Sequence, residues 1–208
     1  MDKILWDIKD KPTNYLEKVS LEALIAYLGG YEFGGRVHLY PGYLEYLQKK
    51  YNITLTYGIE KIVLLESRLS DEIGFNTFYD ELENYNNTNP EKYKDMNVGI
   101  ENLYDLLNKM KLRPGMYMGN SKLFRLYHLI KGFEEGMYQC ENKKNGFNEK
   151  FQMWVERKYN VIVGKAWYRI INFYSEIEED AIKNFYELLN EFLIQTTGKT
   201  LEENAHLV

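Results

Sequence analysis

The chain carries a single cysteine, Cys140, so neither an intrachain disulfide nor a multi-cysteine metal site can form, and a reducing cytosolic setting is expected. Histidine is nearly as scarce. His38, His128 and His206 are the three present, and none stands at metal-ligand spacing from another or from Cys140. No run of about 18 apolar residues occurs, which argues against a membrane-spanning helix. The opening segment MDKILWDIKDKPTNY has neither the apolar core nor the cleavage pattern of a signal peptide. A Gly-x-Ser-x-Gly nucleophile motif is absent as well. Excess positive charge is also lacking: the formal net charge is −5, a poor match to a nucleic-acid backbone. These absences predict a cytoplasmic protein, monomeric, without cofactor or metal, that binds neither nucleic acid nor membrane.

What is present is apolar and aromatic. Of 208 residues 45% are hydrophobic, enough for a sizeable core, and 19 are Tyr, which packs a ring while keeping a polar tip.

The chain also resembles itself. DKPTNYLEKVSLEALIAYLGGYEFG lies on LRPGMYMGNSKLFRLYHLIKGFEEG without a gap. Pro12 falls on Pro114, Tyr15 on Tyr117, Leu24 on Leu126, Gly30 on Gly132 and Gly34 on Gly136, an offset of 102 (114 − 12). After a small insertion YLEYLQKKYNI lies on FQMWVERKYNV, and Ile59 on Trp167, at an offset of 108 (167 − 59). This register predicts two tandem homologous units, 1–86 and 99–208, joined by a polar linker at 87–98. Helical spacing in both units (Leu21, Leu24, Ile25, Leu28; Leu123, Leu126, Tyr127, Ile130; Ile182, Phe185, Leu188, Leu189, Phe192) predicts an all-α fold of about five helices per unit, packed as a pseudo-dimer. Ser20 is the expected N-cap, Gly30 or Gly34 the expected stop, and Ser175-x-x-Glu178 an expected capping box. The β-branched ITLTYGIEKIVLLES leaves a short β-hairpin in each unit as the alternative.

The stretch KLRPGMYMGNSKL is a built corner: Pro114 fixes its own φ, and Gly115 and Gly119 permit angles other residues avoid. The first unit keeps Pro12 and Tyr15 but neither glycine, so the shared part reads as architecture, with the Tyr plugging the core. The expected structural residues are Pro12, Tyr15, Arg113, Pro114, Gly115, Tyr117, Gly119 and Trp167. The corner resembles the Arg-Pro-Gly-Met-Tyr-Ile-Gly phrase of gyrase-type ATPases, yet the next helix lacks the Glu-x-x-x-Asn box that binds nucleotide there. TTGKT likewise ends like a P-loop but has Leu193 where that loop needs glycine.

Charge is distributed unevenly. Residues 1–90 hold 14 acidic and 9 basic side chains, whereas residues 91–208 hold 17 of each. An acidic, Tyr-rich first unit suits a basic protein partner, and Glu32, Asp71, Glu72, Asp80 and Glu83 are the expected contacts. The pattern Arg113-Pro114-x-Met116-Tyr117-x-Gly119, then Gly132-Phe133, Trp154, Tyr159, Trp167 and Phe185, resembles small helical bacterial proteins, some of them immunity proteins of polymorphic or contact-dependent toxins. That resemblance implies a non-enzymatic inhibitor whose partner is a cognate toxin domain, with a nuclease as the class that fits the charge. The competing readings are a nucleotide-binding protein or enzyme using the RPGMYMG loop, and a protein-binding scaffold or regulator.

Overall fold

Apolar residues at helical spacing become helices throughout the described residues. The computed structural model describes residues 3–88, 94–95, 99–142, 145–161 and 164–206. The first half contains α1 (Lys3–Asp10), α2 (Pro12–Tyr15), α3 (Leu21–Gly35), β1 (Val37–His38), α4 (Tyr43–Lys50), α5 (Ile59–Glu66) and α6 (Asp71–Thr88). After β2 (Lys94–Asp95) come α7 (Leu103–Leu112), α8 (Pro114–Met118), α9 (Leu123–Glu141), α10 (Phe147–Tyr159), α11 (Trp167–Phe173), α12 (Glu178–Thr197) and α13 (Leu201–Ala205). The fold is all-α; the two short strands form one antiparallel bridge, Val37 opposite Asp95 and His38 opposite Lys94.

α3 and α9 lie against each other at the centre, and glycine is what lets them approach. A methyl group on Gly30 would stand 1.9 Å from the carbonyl oxygen of Leu129, and one on Gly132 would stand 1.9 Å from that of Tyr27. Gly34 meets the Phe133 carbonyl and Gly136 the Tyr31 carbonyl in the same manner. Small residues four apart thus form a flat seam on each helix. One apolar cluster, from Ile4 to Tyr85, builds around α3, and a second, from Ile100 to Leu201, builds around α9. Trp167 is fully buried in the second and donates its indole N–H to Asn148 Oδ1 at 2.8 Å.

Several local expectations are corrected. Ser20 does cap α3, accepting from Ala23 N at 3.2 Å. The helix, however, runs past Gly30 and Gly34 to a left-handed cap at Arg36, because both glycines serve the seam instead. Ser175 and Glu178 do not form a capping box: Ile177 is the N-cap of α12, and the Ser175 hydroxyl is spent on the Ile171 carbonyl. The capping box belongs to α13, between Thr200 and Glu203. No hairpin forms at Ile53–Ser67; the β-branched run enters α5, whose Ile62 and Val63 reach the core. α6 runs through Thr88, into the first positions of the expected linker at 87–98, whose residues 89–93 and 96–98 lie outside the described residues.

Candidate functional site

Both proline corners are built alike. α1 and α7 each end on a residue with a bent, non-helical backbone (Lys11, φ −136°, ψ 59°; Arg113, φ −143°, ψ 62°), and a proline then opens a short helix, α2 or α8. Proline suits that first helical position because its missing N–H would have no partner there. At the second corner Gly119 takes φ +72°, which favours glycine, while Gly115 stays at negative φ with nothing near its would-be Cβ. The glycine requirement therefore sits at Gly119 alone. Pro114 is half-buried and Arg113 exposed. Met118, only 4% exposed, is the side chain that enters the core; Tyr117 and Tyr15 are half-buried. Tyr117 lies against Phe33 of α3 with ring centroids 5.8 Å apart, and Tyr15 against Tyr27 at 5.8 Å.

Beside the Pro114 corner, α3, α4, α5, α8 and α9 line a pocket of about 340 Å³ that opens to solvent. Its wall is mostly apolar, with Ile25, Ile59 and Leu129, and is opened by Ala26 and Gly29. Two charged side chains reach it, Glu60 and Arg125. They form an ion pair through Arg125 Nη2, the Arg side chain being buried and the Glu partly so. Burial is the main influence on the Glu60 carboxyl and pushes its pKa up, with Arg125 pulling the other way. The Nε–H of Arg125 is buried without a hydrogen-bond partner. Sequence reasoning passed over this arginine, although a cation inside the apolar face LFRLYHLI was the available signal.

The Pro12 corner faces α9 differently. His128 is fully buried there; its Nε2 accepts from Glu17 N at 3.1 Å, and its Nδ1 lies 2.8 Å from the Phe124 carbonyl. Lys131 Nζ donates to the Tyr15 carbonyl at 2.8 Å.

The five acids expected to meet a partner fall into two groups. Glu32 turns inward: its Oε1 accepts from Leu39 N at 2.8 Å, and burial pushes its pKa up to about 7 against that hydrogen bond. Glu134 on α9, aligned with Glu32, has the same role, accepting from Phe147 N at 2.6 Å. Asp71 is half-buried and accepts from Glu22 N at 2.9 Å, closing the first turn of α3. Glu72, Asp80 and Glu83 are exposed and share the outer stripe of α6; Lys9 approaches Glu83 at 3.5 Å. Ile73 on that face and Leu69 just before it are exposed apolar residues.

Much of the first half's acidity is spent inside the molecule. Glu17 pairs with Arg169 at 3.3 Å, Glu22 with Lys122 at 3.7 Å, and Glu60 with Arg125, each bridging the two halves. Glu81, buried on the inner side of α6, accepts from Lys50 at 2.6 Å and from the Tyr51 hydroxyl at 2.7 Å. Among the described residues no group of three His, Cys, Asp or Glu could hold a metal ion, and no helix is long and apolar enough to cross a membrane. Comparison of the chain with family models, curated proteins and solved structures gives no match.

Proposed function

We propose that the protein is a pair of tandem homologous helical units packed as a pseudo-dimer, acting in the cytoplasm as a monomeric, non-enzymatic immunity protein that occupies a cognate bacterial toxin domain. The pseudo-dimer is supported by the seam: Gly30 faces the Leu129 carbonyl as Gly132 faces that of Tyr27, and Leu129 follows Tyr27 at the same offset that separates Pro114 from Pro12.

The observation that carries the binding function is the outer stripe of α6. Glu17, Glu22, Glu32, Glu60, Asp71 and Glu81 are engaged inside the molecule or across the halves, whereas Glu72, Asp80 and Glu83 lie in line on one exposed face of α6 beside Ile73 and Leu69. An acidic stripe with apolar residues at its edge suits a basic cleft, such as that of a nuclease, where charge speeds encounter and apolar contact slows release. Glu32 and Asp71 act as structural acids, Glu32 on the Leu39 amide and Asp71 on that of Glu22.

The test is co-expression with the product of the adjacent reading frame, scored for growth rescue, together with association kinetics. Reversing Glu72, Asp80 and Glu83 to Lys is expected to slow association several-fold at low salt and to flatten its salt dependence, since such steering is screened beyond about 8 Å at physiological ionic strength. Rescue and on-rate identical to wild type in that variant would overturn the assignment.

A further inference from the structure

Glu32 on α3 and Glu134 on α9 hold the same place in the tandem register, and both turn their carboxyls inward, yet the two are compensated differently. Glu134 accepts from three donors with both of its oxygens: Phe147 N at 2.6 Å, Asn148 N at 3.3 Å and Asn148 Nδ2 at 2.9 Å. Among the described residues Glu32 accepts from one, Leu39 N, on Oε1. Its side chain is 16% exposed. A carboxylate that has lost most of its water and kept one neutral donor is poorly compensated. The imidazole of His38 stands beside it, with Nδ1 3.9 Å from the same Oε1, and is a cation only when protonated.

Both contacts come from one turn, residues 36–40, which leaves the left-handed cap of α3 at Arg36 and contains β1. Arg36 is drawn to Glu141 of α9 at 3.3 Å rather than to Glu32. At the far end of the turn is Tyr40; burial, then the charges of Glu32, Tyr43 and Tyr79, push its phenol well above the ordinary range. On the outer side β1 pairs with β2, His38 opposite Lys94 and Val37 opposite Asp95. Closing the turn takes water from Glu32: burial pushes the carboxyl pKa up from 4.5 to about 7, and the Leu39 hydrogen bond opposes that. Once the turn lifts, water returns and the ordinary value is restored. The closed turn therefore binds a proton more tightly than the open one. By linkage it is held best below pH 4.5 and loosens as the pH rises towards 7. A proton on His38 acts in the same direction, because imidazolium lies beside carboxylate only when the turn is closed.

We propose that Glu32 and His38 form a proton-held clasp: a proton lodged on either side chain keeps the turn at 36–40 seated on α3, and its release towards neutral pH loosens that turn together with the β1–β2 bridge. The clasp is separate from the α6 face and stands or falls independently of the immunity reading.

The test is NMR of the whole protein across the acid-to-neutral range. The side-chain carboxyl carbon of Glu32 is expected to titrate with a midpoint near 7. Hydrogen-exchange protection of the Leu39 amide, corrected for the intrinsic pH dependence of exchange, should fall by about 5-fold or more between pH 5.5 and 7.5. The Phe147 amide, held by the better-compensated Glu134, should change less in the same samples. Glu32→Gln keeps an acceptor for Leu39 and cannot ionise, so its Leu39 protection should be independent of pH, and His38→Gln should leave a smaller fall than the unsubstituted protein shows. A Glu32 midpoint at the ordinary carboxylate value, or Leu39 protection that does not change with pH, overturns the proposal in the unsubstituted protein without recourse to any variant. So does a Glu32→Gln variant that retains the full pH dependence.

Discussion

At the scale of single residues, His128 shows how burial turns a titratable group into a fixed one. Its ring lies 4.5 Å from that of Phe124, with its Nδ1 on the Phe124 carbonyl and its Nε2 accepting from Glu17 N, so only the neutral imidazole serves both. Burial pushes its pKa down to about 4; the Phe124 hydrogen bond opposes this, and the charges of Lys131 and Arg169 add to it. Between pH 6.5 and 4 the unfolded chain takes up a proton at this position while the folded chain does not, so stability falls as pH drops through that window, by up to about 1.4 kcal/mol per pH unit. His128→Gln keeps an acceptor for Glu17 and removes the titration. Urea melts at pH 7.5, 5.5 and 4.5 should show a shallower acid loss in that variant than in wild type. Equal slopes would mean that His128 does not govern the acid limb.

At the scale of elements, two glycines of similar helical setting should respond in opposite directions. Gly132→Ala forces a methyl group to within 1.9 Å of the Tyr27 carbonyl, so α3 and α9 must separate along their whole seam. A cost of about 3 kcal/mol is expected, the upper part of the usual overpacking range, because backbone rather than a flexible side chain stands in the way. Gly29→Ala meets nothing and should stabilise by up to about 1 kcal/mol through helix propensity alone. Denaturant midpoints of the two variants, measured side by side, check both signs. The seam was readable as a four-residue spacing of glycines in Gly30-x-x-x-Gly34 and Gly132-x-x-x-Gly136. The same residues also fit a helix stop, and only the partner helix distinguishes the two uses.

At the scale of the whole molecule, the halves are joined by charge as well as by glycine. The Arg125–Glu60 pair is the most buried of the bridges between them. Arg125→Met should cost about 3–5 kcal/mol, since it strands a partly buried carboxylate, and adding Glu60→Met should recover most of that loss. A double variant no more stable than Arg125→Met would show that the pair's partner is not Glu60. This bridging also changes how the charge asymmetry of the sequence is understood. Excess acid in one half looked like a surface for a foreign partner, yet Glu17, Glu22 and Glu60 face bases of the other half. Among the exposed acids of that half, Glu72, Asp80 and Glu83 share one face of α6.

The sequence by itself determined what local physics controls. Helical spacing fixed the all-α class, Ser20 marked the start of α3, and Pro12 and Pro114 fixed the two corners, because a proline's φ and a cap's hydrogen bond involve only near neighbours. It did not determine which acids face outward, which side chain of the RPGMYMG corner enters the core, or that a pocket lies beside it. Each of those rests on contacts between residues far apart in the chain, such as Glu60 with Arg125 or Phe33 with Tyr117. Only the packing of α3 on α9 brings the partners together. It decides whether a glycine closes a seam or opens a space, because the residue carries no side chain to announce the difference.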